Sequence, residues 1–273
     1  MSSKEVILEK LKSYPRVRPS VFVIIVFLAC FLGWSFTAVG GADTTGNGLR
    51  VAKSIISGIF HPDWEIVLDF SSSGLLYMLL ETVAIAFLGT IIGAIISVPL
   101  GFLASSNIVP RWVSYIVKLL IMTIRTIPSL IYGIMFIKIT GPGPFAGLLT
   151  MSFTSIGMLT KLFSDNIMNL KKNVLESLEA MGCTTFEKIR YGILPQLFAI
   201  FLSTIIYRFD INLRDATILG LVGAGGIGSP MMFAMSSYKW NAVGSILLGL
   251  IILILFIEYF SGKIRSRLIG GVK

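Results

Sequence analysis

Long apolar runs alternate with short polar stretches along this chain. Six of the runs, residues 20–39, 74–104, 112–139, 145–168, 197–221 and 242–260, are long enough to cross a bilayer as helices, which takes about 20 residues. Pro99 interrupts the second run and Pro128 the third, and the fifth carries charges. The first follows a basic stretch, as the core of a signal peptide would. It is longer than the usual apolar core of about 7–15 residues, so it reads as an uncleaved anchor. Between the first two runs, "LRVAKSIISGIF" places Leu49, Ala52, Ile55, Ile56 and Ile59 at helical spacing, which predicts an amphipathic helix lying on the membrane surface. Between the fourth and fifth, "KKNVLESLEAMGCTTFEKIRYGILPQ" puts Val174, Leu175, Leu178, Met181 and Thr185 on one stripe. Gly182 breaks that stripe, and Pro195 suits the first turn of a new helix. The pattern predicts a short helix, a glycine bend, a second short helix and then a span.

Composition supports a multi-spanning membrane protein, with 55% hydrophobic and 14% charged residues, against about 25% charged in soluble domains. The formal charge of +9 is placed by the positive-inside rule rather than by nucleic acid. Lys4, Lys10, Lys12, Arg16 and Arg18 precede the first run, and Lys263, Arg265, Arg267 and Lys273 follow or end the last. Arg111 and the basic loop 169–192 alternate with a net acidic segment 40–73 and the turn "TGPGP" at 140–144. This predicts six spans with both termini cytoplasmic. Cys30 and Cys183 form no disulfide framework or zinc spacing, and His61 has no ligand set around it, so no metal site is expected.

The run "GLVGAGGIG" contains Gly223, Gly225 and Gly228 in the G-x-G-x-x-G pattern of a dinucleotide-binding turn. That reading needs a preceding strand and an acidic residue about 20 positions on. Here a span precedes the glycines, and after Asp215 the next acid is Glu258. The glycines, Gly226 included, instead suit a tight reversal, since glycine takes positive φ and allows close backbone approach. The alternatives are a loose loop and a packed reversal at an outer gate.

The fifth run holds Arg208, Asp210, Arg214 and Asp215. Each charge at the bilayer centre costs about 2.5–3.5 kcal/mol, so these groups must face protein or water. Asp210 and Arg214 are four apart and can pair on one face; Arg208, Asn212 and Asp215 share another. Two readings stand. The charges brace helices, or the arginines line an anion path, for which the planar guanidinium fork is suited. Arg125 in the third run, with Lys161 and Asp165 in the fourth, are further candidates, while Glu81 is expected simply to reach the outer interface.

Glu176, Gly182, Leu194 and Pro195 stand at the spacing of the EAA loop of ABC-transporter permeases, which this segment resembles, although Ser177, Leu178 and Gly192 depart from its pattern. "ETVAIAFLGTIIGAIISVPLGFLA", "RTIPSLIYG" and "NLRDATILGLVGAGGIG" are similar to the phosphonate-transporter branch of that family, and the likeness covers about residues 73–263. The resemblance implies an all-α integral membrane protein of the type I importer fold, with a coupling helix between spans four and five. On this reading residues 1–40 hold the cytoplasmic N-terminus and first span, 41–73 the external segment, 74–263 a five-helix core with the coupling loop at 171–196, and 264–273 a cytoplasmic tail. It further implies two cytoplasmic ATPase chains that receive Glu176, Glu179, Gly182, Leu194 and Pro195, an extracytoplasmic binding protein, and a second permease copy. Arg208, Asn212, Arg214 and Arg125 would line the path, and Gly223, Gly225, Gly226 and Gly228 would form a gate. ATP and magnesium belong to the partner. The chain has no G-x-x-x-x-G-K-[ST] loop and is expected to carry no cofactor and no catalysis. The solute the resemblance implies is a phosphonate or a related phosphorus oxyanion, with phosphate, phosphite or an amino acid as the alternative within the family; an ion-coupled carrier using Asp210 and Asp215 is the rival from another class, and it leaves the EAA-like loop unexplained. A membrane enzyme lacks a nucleophile–base pair.

Overall fold

The computed structural model describes residues 18–38, 47–71, 74–170 and 172–270. Among them every regular element is helical. Two compact units divide the chain, Met1–Ala52 and Lys53–Lys273. The first contains α1, Arg18–Ala38, which is apolar all round as suits a membrane span. α2, Asn47–Phe60, carries the amphipathic pattern expected of it. In the second unit α3, Trp64–Leu68, leads to α4, Leu75–Leu103. Asp63 caps α3 through the Glu65 amide, and its own amide donates to Ser245 Oγ at 2.7 Å.

α4 is a single helix of 29 residues with Pro99 inside it. Proline was expected to interrupt this span, and it does not, because the long span is held from outside by a packed neighbour. That neighbour is α7, Pro144–Met168. Gly89, Gly93 and Gly101 recur every four residues or a multiple of four along α4, and a Cβ at them would meet Met151, Ser155 and Phe163 of α7. Small residues at this spacing let two membrane helices approach closely, which replaces the missing hydrophobic drive in lipid. Below this seam Phe102, Phe163 and Phe201 close the core at one end, the last two with ring centroids 4.3 Å apart.

The third apolar run is two helices, α5, Arg111–Thr126, and α6, Ser129–Thr140, bent by 85° at the break. Pro128 removes an amide and disfavours helix at Ile127. Among the described residues five helices are long and apolar enough to cross a membrane, or six if the bent pair is one span. The loop after α7 forms α8, Lys172–Ala180, a single turn α9, Thr185–Glu187, and a π-helical stretch, Lys188–Ile193. It runs directly into α10, Leu194–Leu221, with Pro195 in the first turn. α11, Gly228–Ser236, and α12, Trp240–Gly270, complete the chain. α12 continues ten residues beyond the apolar run 242–260, because the basic residues that follow it stay in the same helix.

Candidate functional site: a buried arginine, an exposed hairpin and a glycine turn

Arg208, on α10, is only 5% exposed. Its Nε donates to Ser155 Oγ at 3.1 Å, Nη2 to Thr154 Oγ1 at 3.0 Å, and Nη1 lies 3.1 Å from Met158 Sδ. One turn on, Asn212 Nδ2 donates to Ser155 Oγ and to Thr90 Oγ1, both at 2.8 Å. These partners are neutral. They fix the guanidinium without cancelling its charge, and three of its five N–H groups are engaged. Arg208 borders a cavity of about 250 Å³ at the break between α5 and α6, together with Arg125, Ser129, Thr154, Met158 and Asp215. Arg125 has no hydrogen-bond or ion-pair partner among the described residues, and its stem rests on Gly157. A second cavity of about 230 Å³ shares Arg125 and adds Lys118 and Lys161. Lys161 is paired with Asp165 at 2.6 Å.

Arg214 lies elsewhere. Six positions along a helix is a rotation of about 600°, which turns it away from Arg208. It pairs with Glu258 of α12 at 3.1 Å. The expected Asp210–Arg214 pair does not form. Asp210 accepts from Ser261 at 2.9 Å and faces Arg265 at 3.6 Å, because α12 presents both groups, and Glu258 beside them, to that face of α10. α10 therefore has two polar faces, one neutral and hydroxyl-rich around Arg208, the other an ion-paired seam to α12. Sequence reasoning missed Thr90, Thr154, Ser155 and Glu258. The signal for the middle pair was the density of hydroxyls in α7, where Thr150, Ser152, Thr154, Ser155 and Thr160 fall within one span.

The loop between α7 and α10 is an ordered hairpin. Gly182 has φ +79°, its amide donates to Glu179 O, and Cys183 N donates to Leu178 O. This pair of bonds is the Schellman ending of a helix, which needs a left-handed residue. Thr184 and Glu187 then form a capping box, with the Thr184 amide and hydroxyl both 2.7 Å from Glu187 Oε2. Those bonds, the hydroxyl first, hold the Glu187 carboxyl below its ordinary range. Lys188 bonds Glu179 at 3.0 Å and ties the two arms together. Gly192, where the family pattern has isoleucine, is buried under Leu178, so a larger residue would displace that side chain. Glu176 and Pro195 are exposed, and Leu194 is partly so. Met181, Phe186 and Tyr191, at 70%, 67% and 66% exposed, give the hairpin an apolar outer surface.

The glycine run is a packed reversal. Gly223, Gly225 and Gly226 all have positive φ. Gly143 N donates to Gly223 O at 2.9 Å, Gly226 N to Glu81 Oε1 at 3.2 Å, and Ile227 N to Thr82 Oγ1 at 2.9 Å. Glu81, expected merely to reach the interface, thus holds the turn. Gly228 packs on the α10 backbone at Thr217 and Gly220.

Residues 97–266, more than half of the chain, match the family described as "Binding-protein-dependent transport system inner membrane component". The chain is 30% identical over 246 residues to the phosphite transport system permease protein PtxC of Stutzerimonas stutzeri, covering 90% of this chain and 88% of that one. It is 34% identical over 190 residues to the phosphate-import permease protein PhnE of Mycolicibacterium smegmatis, covering 69% of this chain and 36% of that one. The inward-facing MetNI methionine ABC transporter superposes with a TM-score of 0.64 at 20% identity, covering 71% of this chain and 95% of that chain, which shows a shared fold. The apolar helices, the ordered hairpin and the family match converge: this multi-pass membrane chain belongs to the binding-protein-dependent transport system inner membrane component family and is a permease component of an ABC importer.

Proposed function

We propose that the chain carries a phosphorus oxyanion such as phosphite, phosphate or a phosphonate across the membrane. The observation that carries this reading is Arg208, buried on neutral partners beside a cavity that also holds Arg125. A guanidinium so placed offers N–H groups to an oxyanion without first breaking an ion pair. The relatives named for phosphite and phosphate transport support the same solute class. The seam of Asp210 and Arg214 with α12 is scaffold on this reading.

Drive comes from two copies of a separate ATPase, which hold the ATP and magnesium and receive the hairpin from Glu176 to Pro195. The exposed Met181, Phe186 and Tyr191 suit a hydrophobic groove, and the Gly182 bend and Thr184–Glu187 box keep the hairpin stiff enough to transmit a push. The hairpin and both termini lie in the cytoplasm of a bacterial plasma or inner membrane. A binding protein delivers solute at the other side, where the glycine turn at 223–228 forms part of the outer gate. A second copy of this chain pairs around the path. The test is copurification with its ATPase, followed by solute-stimulated ATP hydrolysis in lipid. Arg208→Gln should keep assembly and lose import; import by that variant at the native rate would remove the arginine from the path.

A further inference from the structure

The cavity at the broken span holds one carboxylate that an anion path has no obvious use for. Asp215 lines it beside Arg208 and Arg125. Among the described residues Asp215 has no hydrogen bond and no ion pair within 4 Å, although it is partly buried. The charged groups around it are few. Arg208 is on its own helix and Arg125 on α5; α7 contributes only neutral Thr154 and Met158 at this point. α6 contributes Ser129 and an N-terminus with no side-chain cap, and its Tyr132 hydroxyl is spent on Ile124 O. Lys161 and Asp165, further along α7, neutralise each other, and Asp210, Arg214, Glu258 and Arg265 belong to the seam on the other face. With these groups ionised the lining carries two positive charges and one negative, a net +1.

From this juxtaposition we infer that Asp215 is a specificity-determining residue that sets the charge state the cavity accepts, favouring a monoanion over a dianion. A monoanion brings the lining to neutrality. A dianion leaves an excess negative charge beside the Asp215 carboxylate, whose charged neighbour on its own helix is Arg208. Asp215 also keeps the resting cavity from holding a divalent oxyanion so firmly that it would not leave. This rests on the reading of the chain as an importer of a phosphorus oxyanion, whose second ionisation changes its charge within the physiological pH range.

The experiment uses the complete transporter, permease with its ATPase and binding protein, in proteoliposomes. Initial uptake of labelled phosphite and phosphate at low concentration is measured from about pH 5.5 to about pH 8, across the second ionisation. Each variant is expressed as a ratio to wild type at the same pH, which cancels the pH response of the other two proteins. For Asp215→Asn the ratio should rise about tenfold across the range, as one charge is removed at short distance. For Asp215→Glu it should stay level. For Arg125→Gln, which removes a positive charge that has no partner to strand, it should fall with pH. That opposite slope keeps the test decisive even where Asp215→Asn fails to fold. Level ratios for Asp215→Asn and Arg125→Gln in a transporting system overturn the inference alone; wild-type uptake of neither anion overturns the substrate reading beneath it.

Discussion

Replacing Gly225 by alanine isolates what the outer turn requires. Gly225 has φ +81°, and a Cβ there would sit 2.6 Å from Pro144 Cα and 2.7 Å from Pro144 N. Two costs add. The left-handed conformation costs an L-residue about 1–2 kcal/mol. The contact is with backbone, which cannot swing aside as a side-chain end can, so the turn or the start of α7 must shift by about an ångström to reach an ordinary separation. Overpacking of that kind costs about 1–3 kcal/mol. The total is about 2–5 kcal/mol. Gly141 is the matched control, with φ +86° and nothing within 4 Å of a Cβ, so Gly141→Ala carries the conformational cost alone. The assay is the thermal inactivation midpoint of the two purified variants in detergent, with import measured beside it. Gly225→Ala should melt several degrees below Gly141→Ala, at about 2–4 °C per kcal/mol for a chain of this size. Equal midpoints would refute the packed-turn reasoning and leave only φ.

Three further outcomes follow from the geometry. Arg265→Ala should lower the yield of folded protein by the equivalent of about 3 kcal/mol, since it takes the ion-pair partner from the buried Asp210 and leaves it the Ser261 hydroxyl, and Asp210→Asn with Arg265→Gln should restore it; folding yield and import of the three proteins check this. Gly182→Leu and Glu176→Lys should spare membrane insertion and cut ATP-coupled import, because neither residue lies in a span and the first cannot hold φ +79°; ATPase copurification and uptake are the readouts. Gly93→Leu should abolish folded protein, whereas Gly262→Leu, with open space around its Cβ, should not; size-exclusion profiles compare them.

The span pattern was legible because bilayer helices advertise themselves by length alone, and the glycine bend at Gly182 because a left-handed helix ending demands that residue. Pro128 gave a break but not its angle, which depends on how α6 packs against α7. Pro99 misled, since the backbone hydrogen bond that proline removes is dispensable where a neighbouring helix holds the span. Pairing inside α10 was the least legible part. An i,i+4 rule sees only one helix, whereas Asp210 and Arg214 find their partners on α12, at residues 258–265. The neutral cradle of Arg208 was hidden for the same reason, because Thr154 and Ser155 become ligands for the guanidinium only once α7 lies against α10.

The central claim is that this chain is the passive, gated half of an ATP-driven importer for a phosphorus oxyanion. The direct measurement is uptake of labelled phosphite, phosphate and a phosphonate into proteoliposomes holding the permease, its ATPase and its binding protein, with and without ATP on the ATPase side. Uptake of at least one of these anions that requires ATP and is lost in Arg208→Gln is the result expected. Uptake that proceeds without ATP along an ion gradient, or ATP-driven uptake of a neutral or cationic solute to the exclusion of all three anions, would contradict it.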